Sequence, residues 1–390
     1  MRRLNVAMIG SGFMGKAHAL AYAGVPAFYW PPPAIPVKKI IVDRTEDLAS
    51  TGRDRFGFER FSTDWAAVVA DPEIDIVDIC TPNDSHAEIA IAAAAAGKHI
   101  LCEKPLARTA PEAKRMLDAV AGKNITHMVA FNYRHTPAVA FARRLIEQGR
   151  IGRLLNFRGQ YLSDWSADPA APLSWRFQKA VAGSGAIGDI GSHIIDMARY
   201  LAGEIEAVNA IVQTYISERP EQAGVFDPLG GGQCHAGGDG SRRAVDVDDE
   251  AVLLVRFAGG CVGTIEASRN AHGRNNFLGF ELHGTAGSIV FDFEHMNELR
   301  VFLADDPPEL RGFRTIVTGP PHPHGDVLWP VAGLGVGYLD VKIIECHSFI
   351  DAIVAGRPAS PDFADGYRIA LICDAILASG QRRGWVEVGS

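Results

Sequence analysis

The sequence predicts an α/β N-terminal half with a doubly wound parallel sheet over residues 1–132, followed by an α+β half with a large, mainly antiparallel open sheet over residues 133–390. Three observations predict it. Apolar strand-like runs alternate with helical ones in the first half. A glycine cluster sits at the first strand-to-helix junction. The second half holds consecutive strand-like runs without helices between them. A chain of 390 residues is also long for one hydrophobic core.

Residues 4–9 form a buried strand, followed at once by Gly10-Ser11-Gly12-Phe13-Met14-Gly15 and a helical run over 16–23. A G-x-G-x-x-G between a strand and a helix marks a Rossmann dinucleotide site. Glycines permit the tight turn and let the backbone approach a pyrophosphate at the positive end of the helix. A second strand, 37–43, ends in Asp43, whose carboxylate suits the ribose hydroxyls of NAD and repels a 2′-phosphate. Arg44 beside it is of the type that accommodates that phosphate, which leaves NADP as second choice. The spacing from the glycines to Asp43 is longer than usual, and the proline-rich stretch 26–36 reads as an inserted loop. Helices over 45–56, 64–70, 84–96 and 111–121 then alternate with strands over 74–80, 99–102 and 126–131. Ligands in such sheets bind outside the carboxyl ends of the strands. Those ends carry Thr81-Pro82-Asn83, Glu103-Lys104-Pro105 and Asn132-Tyr133-Arg134.

In the second half a connecting helix over 137–148 precedes a strand over 154–162. A polar loop follows with Trp165, Trp175 and Arg176, flat aromatic faces and a fork of donors that suit a sugar. Next comes a helix with apolar residues at helical spacing, Ile187, Ile190, Ile194, Ile195, Met197, Ala198 and Leu201. On it Asp189, His193 and Asp196 stand at i, i+4 and i+7 and are expected on one stripe. Gly185, Gly188 and Gly191 lie in its first turns, which suits proton transfer next to a closely approaching ligand. Strands are expected over 207–217, 251–257, 261–268, 277–283, 288–293 and 299–303, and helices over 337–355 and 362–380. Asn270, His272, Arg274 and Asn276 follow a strand and are placed to reach a substrate, but read first as solvated loop residues. The glycine-rich insertion 218–247 lacks periodicity and reads as a mobile loop.

Bulk properties exclude several function classes. A net charge of -8 with no basic run argues against nucleic acid as a partner. No segment approaches the roughly 18 consecutive apolar residues of a membrane span, and the apolar run after Arg2-Arg3 is too short for an export signal. Six cysteines without a C-x-x-C pair read as reduced core thiols of a cytoplasmic protein. His322 and His324, with Asp326 after them, are of metal-ligating type, but prolines prevent a shared helical face, no further ligand completes a set and no metal is expected.

Glu103-Lys104-Pro105 resembles the E-K-P signature of the glucose–fructose oxidoreductase/inositol dehydrogenase (Gfo/Idh/MocA) family, and residues 182–196 resemble its G-G-x-x-x-D-x-G-x-H-x-x-D helix. Ser184 departs from that pattern, where a further glycine is common. The resemblance covers essentially the whole chain. It implies nicotinamide-dependent redox chemistry on a secondary hydroxyl of a sugar, anhydrosugar or polyol, with no metal. By the same resemblance Lys104 orients and polarises the reacting oxygen, Asp189 contacts substrate and His193 is the general acid/base. Tyr133, Trp165 and Arg176 complete the expected substrate site. The expected cofactor site comprises Gly10, Gly12, Phe13, Met14, Gly15, Asp43, Arg44, Thr81, Asn83, His86, Glu103, Lys104, Asn132, Trp175, Arg176 and Tyr338. The broad second sheet is expected to bury one face in a homo-oligomer. A sugar dehydrogenase or reductase with a tightly held cofactor, and a non-catalytic NAD sensor on the same fold, are the competing readings. Intact Lys104, Asp189 and His193 count against the sensor.

Overall fold

A computed structural model describes residues 1–221 and 241–389. The N-terminal half is built from β1 (Arg3–Ile9), α1 (Phe13–Phe28), β2 (Ile35–Val42), α2 (Glu46–Phe56), β3 (Arg60–Ser62), α3 (Trp65–Ala70), β4 (Ile76–Ile79), α4 (His86–Ala95), β5 (His99–Cys102), α5 (Ala110–Val120) and β6 (His127–Val129). Their six strands run parallel in the order β3-β2-β1-β4-β5-β6. The order reverses between β1 and β4, the point where a doubly wound sheet opens its crevice. Polar caps set the helix starts: the Thr45 hydroxyl accepts from Leu48 N, the Asp64 carboxylate from Ala67 N, and the Thr109 hydroxyl from Glu112 N. One expectation is corrected. The stretch 26–36 is not all loop, because α1 runs through Pro26 to Phe28. Pro26 forfeits the bond its N–H would make to the Tyr22 carbonyl, yet buried Tyr22 and Val25 hold that turn to the core and carry the helix past it.

The second half continues through α6 (Pro137–Glu147), β7 (Leu154–Leu162), the single turn α7 (Lys179–Ala182), α8 (Ser192–Ala202), β8 (Ile205–Gln213), β9 (Glu218–Pro220), β10 (Arg242–Ala244), β11 (Glu250–Phe257), β12 (Val262–Ser268), β13 (Phe277–Gly284), β14 (Gly287–Asp292), β15 (Glu298–Leu303), β16 (Arg314–Val317), α9 (Gly325–Leu328), α10 (Tyr338–Ala355), α11 (Phe363–Arg382) and β17 (Val386–Glu387). Nine strands form one sheet in the order β16-β15-β14-β13-β7-β12-β11-β8-β17. Every neighbouring pair is antiparallel except β7 with β12. Alternation puts Phe157, Gly159 and Tyr161 of β7 on the buried face, where α8 lies so close that a Cβ on Gly159 would stand 2.8 Å from Ile194. β9 and β10 pair as a separate ribbon that brackets part of the expected mobile loop; residues 222–240 of that loop lie outside the described residues. Helix α10 returns to the N-terminal half. A Cβ on Gly24 of α1 would stand 2.5 Å from Ile343, so this glycine is what lets the helices meet.

Candidate active site

Gly10 closes the turn after β1 with φ +102°, and a Cβ there would stand 2.6 Å from the Cys80 carbonyl oxygen. Gly15 is tighter, since its Cβ would stand 2.2 Å from Gly10 O. Gly12 caps α1, its carbonyl accepting from Lys16 N at 2.9 Å. Beside this turn Phe13 stacks on Tyr338 at 6.5 Å, and the Tyr338 hydroxyl lies 3.8 Å from Met14 Sδ. The last helix pair therefore supplies one wall of the loop. Asp43 accepts from the backbone N and hydroxyl of Ser11 at 2.8 and 2.6 Å, and from Arg44 N at 2.7 Å. Arg44 itself is exposed.

Other residues expected at the cofactor have protein partners. The Asn83 amide donates to Ala182 O at 2.9 Å, and the Thr81 hydroxyl accepts from Ser85 at 2.7 Å. His86 is buried, with its ring nitrogens 3.0 and 2.9 Å from the carbonyls of Pro105 and Thr81. It braces one strand-end loop against another. Asn132 is the exception, for its buried Nδ2 has no hydrogen-bond partner among the described residues.

Lys104, Asp189 and Arg176 come together. Lys104 Nζ donates to Asp189 O at 2.6 Å and stands 3.8 Å from its carboxylate. Arg176 and Arg269 lie 3.9 Å from that carboxylate. Burial pulls the Lys104 pKa below its usual value, with Asp189 opposing. His193 is buried in an aromatic cage, edge-on to Tyr133 at 4.6 Å and Phe131 at 5.7 Å, with Tyr161 at 5.9 Å. Burial first, then the Lys104 charge, holds its pKa well below the usual value, so it is a neutral imidazole. The Tyr133 hydroxyl lies 2.8 Å from that of Tyr161, which donates to Asn276 at 2.5 Å. Trp165 is half exposed beside Phe177, and Arg176 lies over the Trp175 ring at 4.5 Å.

The single stripe of Asp189, His193 and Asp196 does not form. Residues Ile187–Gly191 make a π turn, which shifts Asp189 out of phase with α8, and no hydrogen bond joins Asp189 to His193. Asp196 faces away and holds Arg134 through both carboxylate oxygens at 2.7 and 2.5 Å. The glycines of this motif also make room for protein rather than ligand. A Cβ on Gly185 would stand 1.7 Å from Asp248 O, and one on Gly188 would stand 2.6 Å from Ser184. The Asp248 carboxylate accepts from Gly185 N and Ile187 N at 2.7 and 2.8 Å and so fixes the start of the turn.

Glu103, expected at the cofactor, turns inward. It takes part in a fully enclosed network: Lys342 Nζ lies 3.0 Å from Glu103, 2.9 Å from Glu345 and 3.0 Å from His18, whose other nitrogen lies 2.9 Å from Asp78. Burial works against all these charges. Asp78 nevertheless raises the His18 pKa, and Lys342 with His18 holds Glu103 well below the carboxylate range. Among the described residues, His18, Asp78 and Cys80 form the one group of ligand-type atoms within 4.8 Å of one another, and hydrogen bonds join them. His322 and His324 are not part of it.

The family model described as "Oxidoreductase family, NAD-binding Rossmann fold" matches residues 4–131, and "GFO/IDH/MocA C-terminal domain" matches 139–290. The levoglucosan dehydrogenase of Pseudarthrobacter phenanthrenivorans is 60% identical over 388 residues, covering 100% of this chain and 99% of that one. The chain belongs to the Gfo/Idh/MocA oxidoreductase family. Within it, a solved levoglucosan dehydrogenase in complex with NADH and levoglucosan superposes with a TM-score of 0.94 at 58% identity, each chain covered in full. The scyllo-inositol 2-dehydrogenase (NAD(+)) of Bacillus subtilis is more distant, 32% identical over 292 residues, 74% of this chain and 73% of that one. The residues present fit the family's dinucleotide: the glycine turn leaves no room for side chains, and Asn132 offers a donor that the protein leaves unused. Two residues of this family member's site escaped the sequence reading, Asp248 and Arg269. The run Asp246-Val247-Asp248-Asp249-Glu250, acidic and set just before a strand, was the available signal for the first. Arg269, fully buried at the end of β12, had none.

Proposed function

We propose that this protein oxidises a secondary hydroxyl of an anhydrosugar, levoglucosan foremost, with NAD as acceptor. The observation that carries the reading is Lys104 bound to Asp189 beside a caged, neutral His193, in a chain 60% identical to a levoglucosan dehydrogenase. NAD, when bound at Gly10, Gly12, Gly15 and Asp43, supplies the hydride acceptor. His193 takes the hydroxyl proton, and its depressed pKa keeps it free to do so across the neutral range. Lys104 stabilises the oxygen as negative charge develops on it. The Asp189 carboxylate, ringed by Lys104, Arg176 and Arg269, accepts from a neighbouring hydroxyl. Trp165 and Arg176 face the sugar.

Residues 1–132 are the cofactor half and 133–390 the substrate half in this reading, with α10 crossing back to close the cofactor loop. The outer face of the nine-stranded sheet carries exposed Ile211, Val252, Leu254 and Val262 on adjoining strands, an apolar patch that suits a homo-oligomer. Cys80, Cys102, Cys261, Cys346 and Cys373 are unpaired, which suits a reducing cytoplasm, and among the described residues no helix is long and apolar enough to cross a membrane. The test is NADH formation by purified protein with NAD or NADP against levoglucosan, inositols, aldoses and sugar acids. Saturable turnover of levoglucosan with NAD is expected. Silence with levoglucosan while another sugar turns over would remove the substrate assignment, and silence throughout would remove the dehydrogenase.

A further inference from the structure

We propose that Arg219 is a positioning residue for sugar selection, holding the loop of residues 163–178 over Asp189. The inference rests on the sugar-dehydrogenase reading above. That loop carries Trp165, Trp175 and Arg176, yet between β7 and α7 it contains only isolated turns, of which Trp175–Phe177 is the one helical turn. Its order comes from outside. Arg219 on β9 is fully buried, and its guanidinium donates to three carbonyls of the loop: Ser166, Asp168 at 2.7 Å and Ala171 at 3.4 Å. The neighbouring Pro220 carbonyl accepts from Leu173 N at 2.8 Å. Among the described residues no carboxylate lies within ion-pair distance of this guanidinium; the loop carbonyls are its direct partners, with the Asp249 and Asp168 charges acting from further away. Both terminal nitrogens are taken up by the loop and the Nε is left without a partner among the described residues, so the planar fork is spent on an irregular run of carbonyls.

The same guanidinium lies over the Phe177 ring at 4.1 Å. Arg269 shares that ring at 5.1 Å, covers Trp165 at 5.4 Å, donates to Arg176 O at 3.3 Å and stands 3.9 Å from the Asp189 carboxylate. A continuous frame thus runs Arg219–Phe177–Arg269–Asp189. Arg219 itself contacts Ser166, Asp168, Ala171 and Phe177; Trp175 and Arg176, expected at the cofactor as well, are reached only through the loop, so its effect is expected first on the sugar.

The experiment compares wild type with Arg219→Met and Arg219→Lys. Arg219→Met is expected to raise KM for levoglucosan at least ~10-fold and to lower its preference over the next best sugar by a similar factor, with kcat at saturating sugar and the Kd for NAD within about twofold. Arg219→Lys keeps the charge without the fork and is expected to resemble the methionine variant. Acrylamide quenching of Trp165, isolated by difference against Trp165→Phe, is expected to increase in both variants. An unchanged KM and sugar preference would overturn the proposal, as would NAD affinity falling in parallel with sugar affinity and thermal stability. If wild type oxidises no sugar, the dehydrogenase reading fails, and quenching alone judges the frame: unchanged Trp165 accessibility overturns it.

Discussion

Asp196→Asn separates two readings of the α8 helix. Sequence spacing puts Asp196 on the stripe of His193, as a partner in acid–base chemistry. The structure puts it against Arg134, with side chains 7% and 2% exposed and bidentate contacts at 2.7 and 2.5 Å. Burial raises the Asp196 carboxyl above its usual pKa, and Arg134 offsets that only in part, so forming the pair adds little net stability. Breaking it is a different matter. Asparagine can accept through one oxygen and turns an amino group towards the guanidinium, which strands a buried cation at a cost of about 3–5 kcal/mol. Asp365 at 3.8 Å and the Tyr200 ring at 4.9 Å still compensate part of the charge, which favours the low end, about 3 kcal/mol. With roughly 2–4 °C of Tm per kcal/mol for domains of this size, the expected fall is about 6–12 °C. The assay pairs thermal denaturation with a pH profile of kcat/KM measured well below the new Tm. The acid limb is expected to stay in place. A Tm within about 2 °C of wild type together with a displaced acid limb would refute the structural assignment.

Three further outcomes follow from the site. His193→Ala and Lys104→Ala are each expected to lose at least ~100-fold in turnover; because Lys104 lowers the His193 pKa, the wild-type acid limb lies below about 6.5, and Lys104→Met moves it upward in a kcat/KM profile of the residual activity. Asp43→Ala removes the acceptor for Ser11 and the repulsion of a 2′-phosphate, so the ratio of kcat/KM for NAD over NADP should fall at least ~10-fold in steady-state assays with both cofactors. Lys342→Met leaves Glu103 and Glu345 without the cation between them, and the denaturation midpoint should register a loss of about 3 kcal/mol or more; an unchanged midpoint would show that the network is not held by its charges.

The inner strands of both sheets were legible because burial writes itself into composition. Near-continuous apolar runs located β4 and β5, and strict alternation located β7 and β11. The edge strands β3, β16 and β17 were missed for the converse reason: all three are short, and β3 and β16 carry no buried face to read. The end of α1 was misplaced because proline weakens a helix without having to end it, and here the burial of Tyr22 and Val25 outweighs the one bond lost. The π turn at Ile187–Gly191 left no trace in the periodicity, since its apolar residues satisfy an α-helical count as well.

At the site, residue types were legible and directions were not. Lys104, Asp189 and His193 were found by motif, but a motif does not say which atom a side chain answers to. Glu103 shows how more could have been read. It is adjacent to Lys104 at the end of β5, and in extended chain neighbouring side chains point to opposite sides. Both could not face the cleft. If Lys104 reaches Asp189, Glu103 must enter the interior, and a carboxylate buried there needs a cation or a donor. The sequence contained candidates for that partner, including His18 in the helix after the glycine turn and Lys342, the one lysine of a helix whose residues Ile343, Ile344 and Cys346 are buried. A lone lysine in such a helix is itself a signal of burial with a counter-charge. Pairing the inward acid with the stranded lysine would have docked α10 onto α1 from sequence, and with it Tyr338 beside Phe13 and Met14.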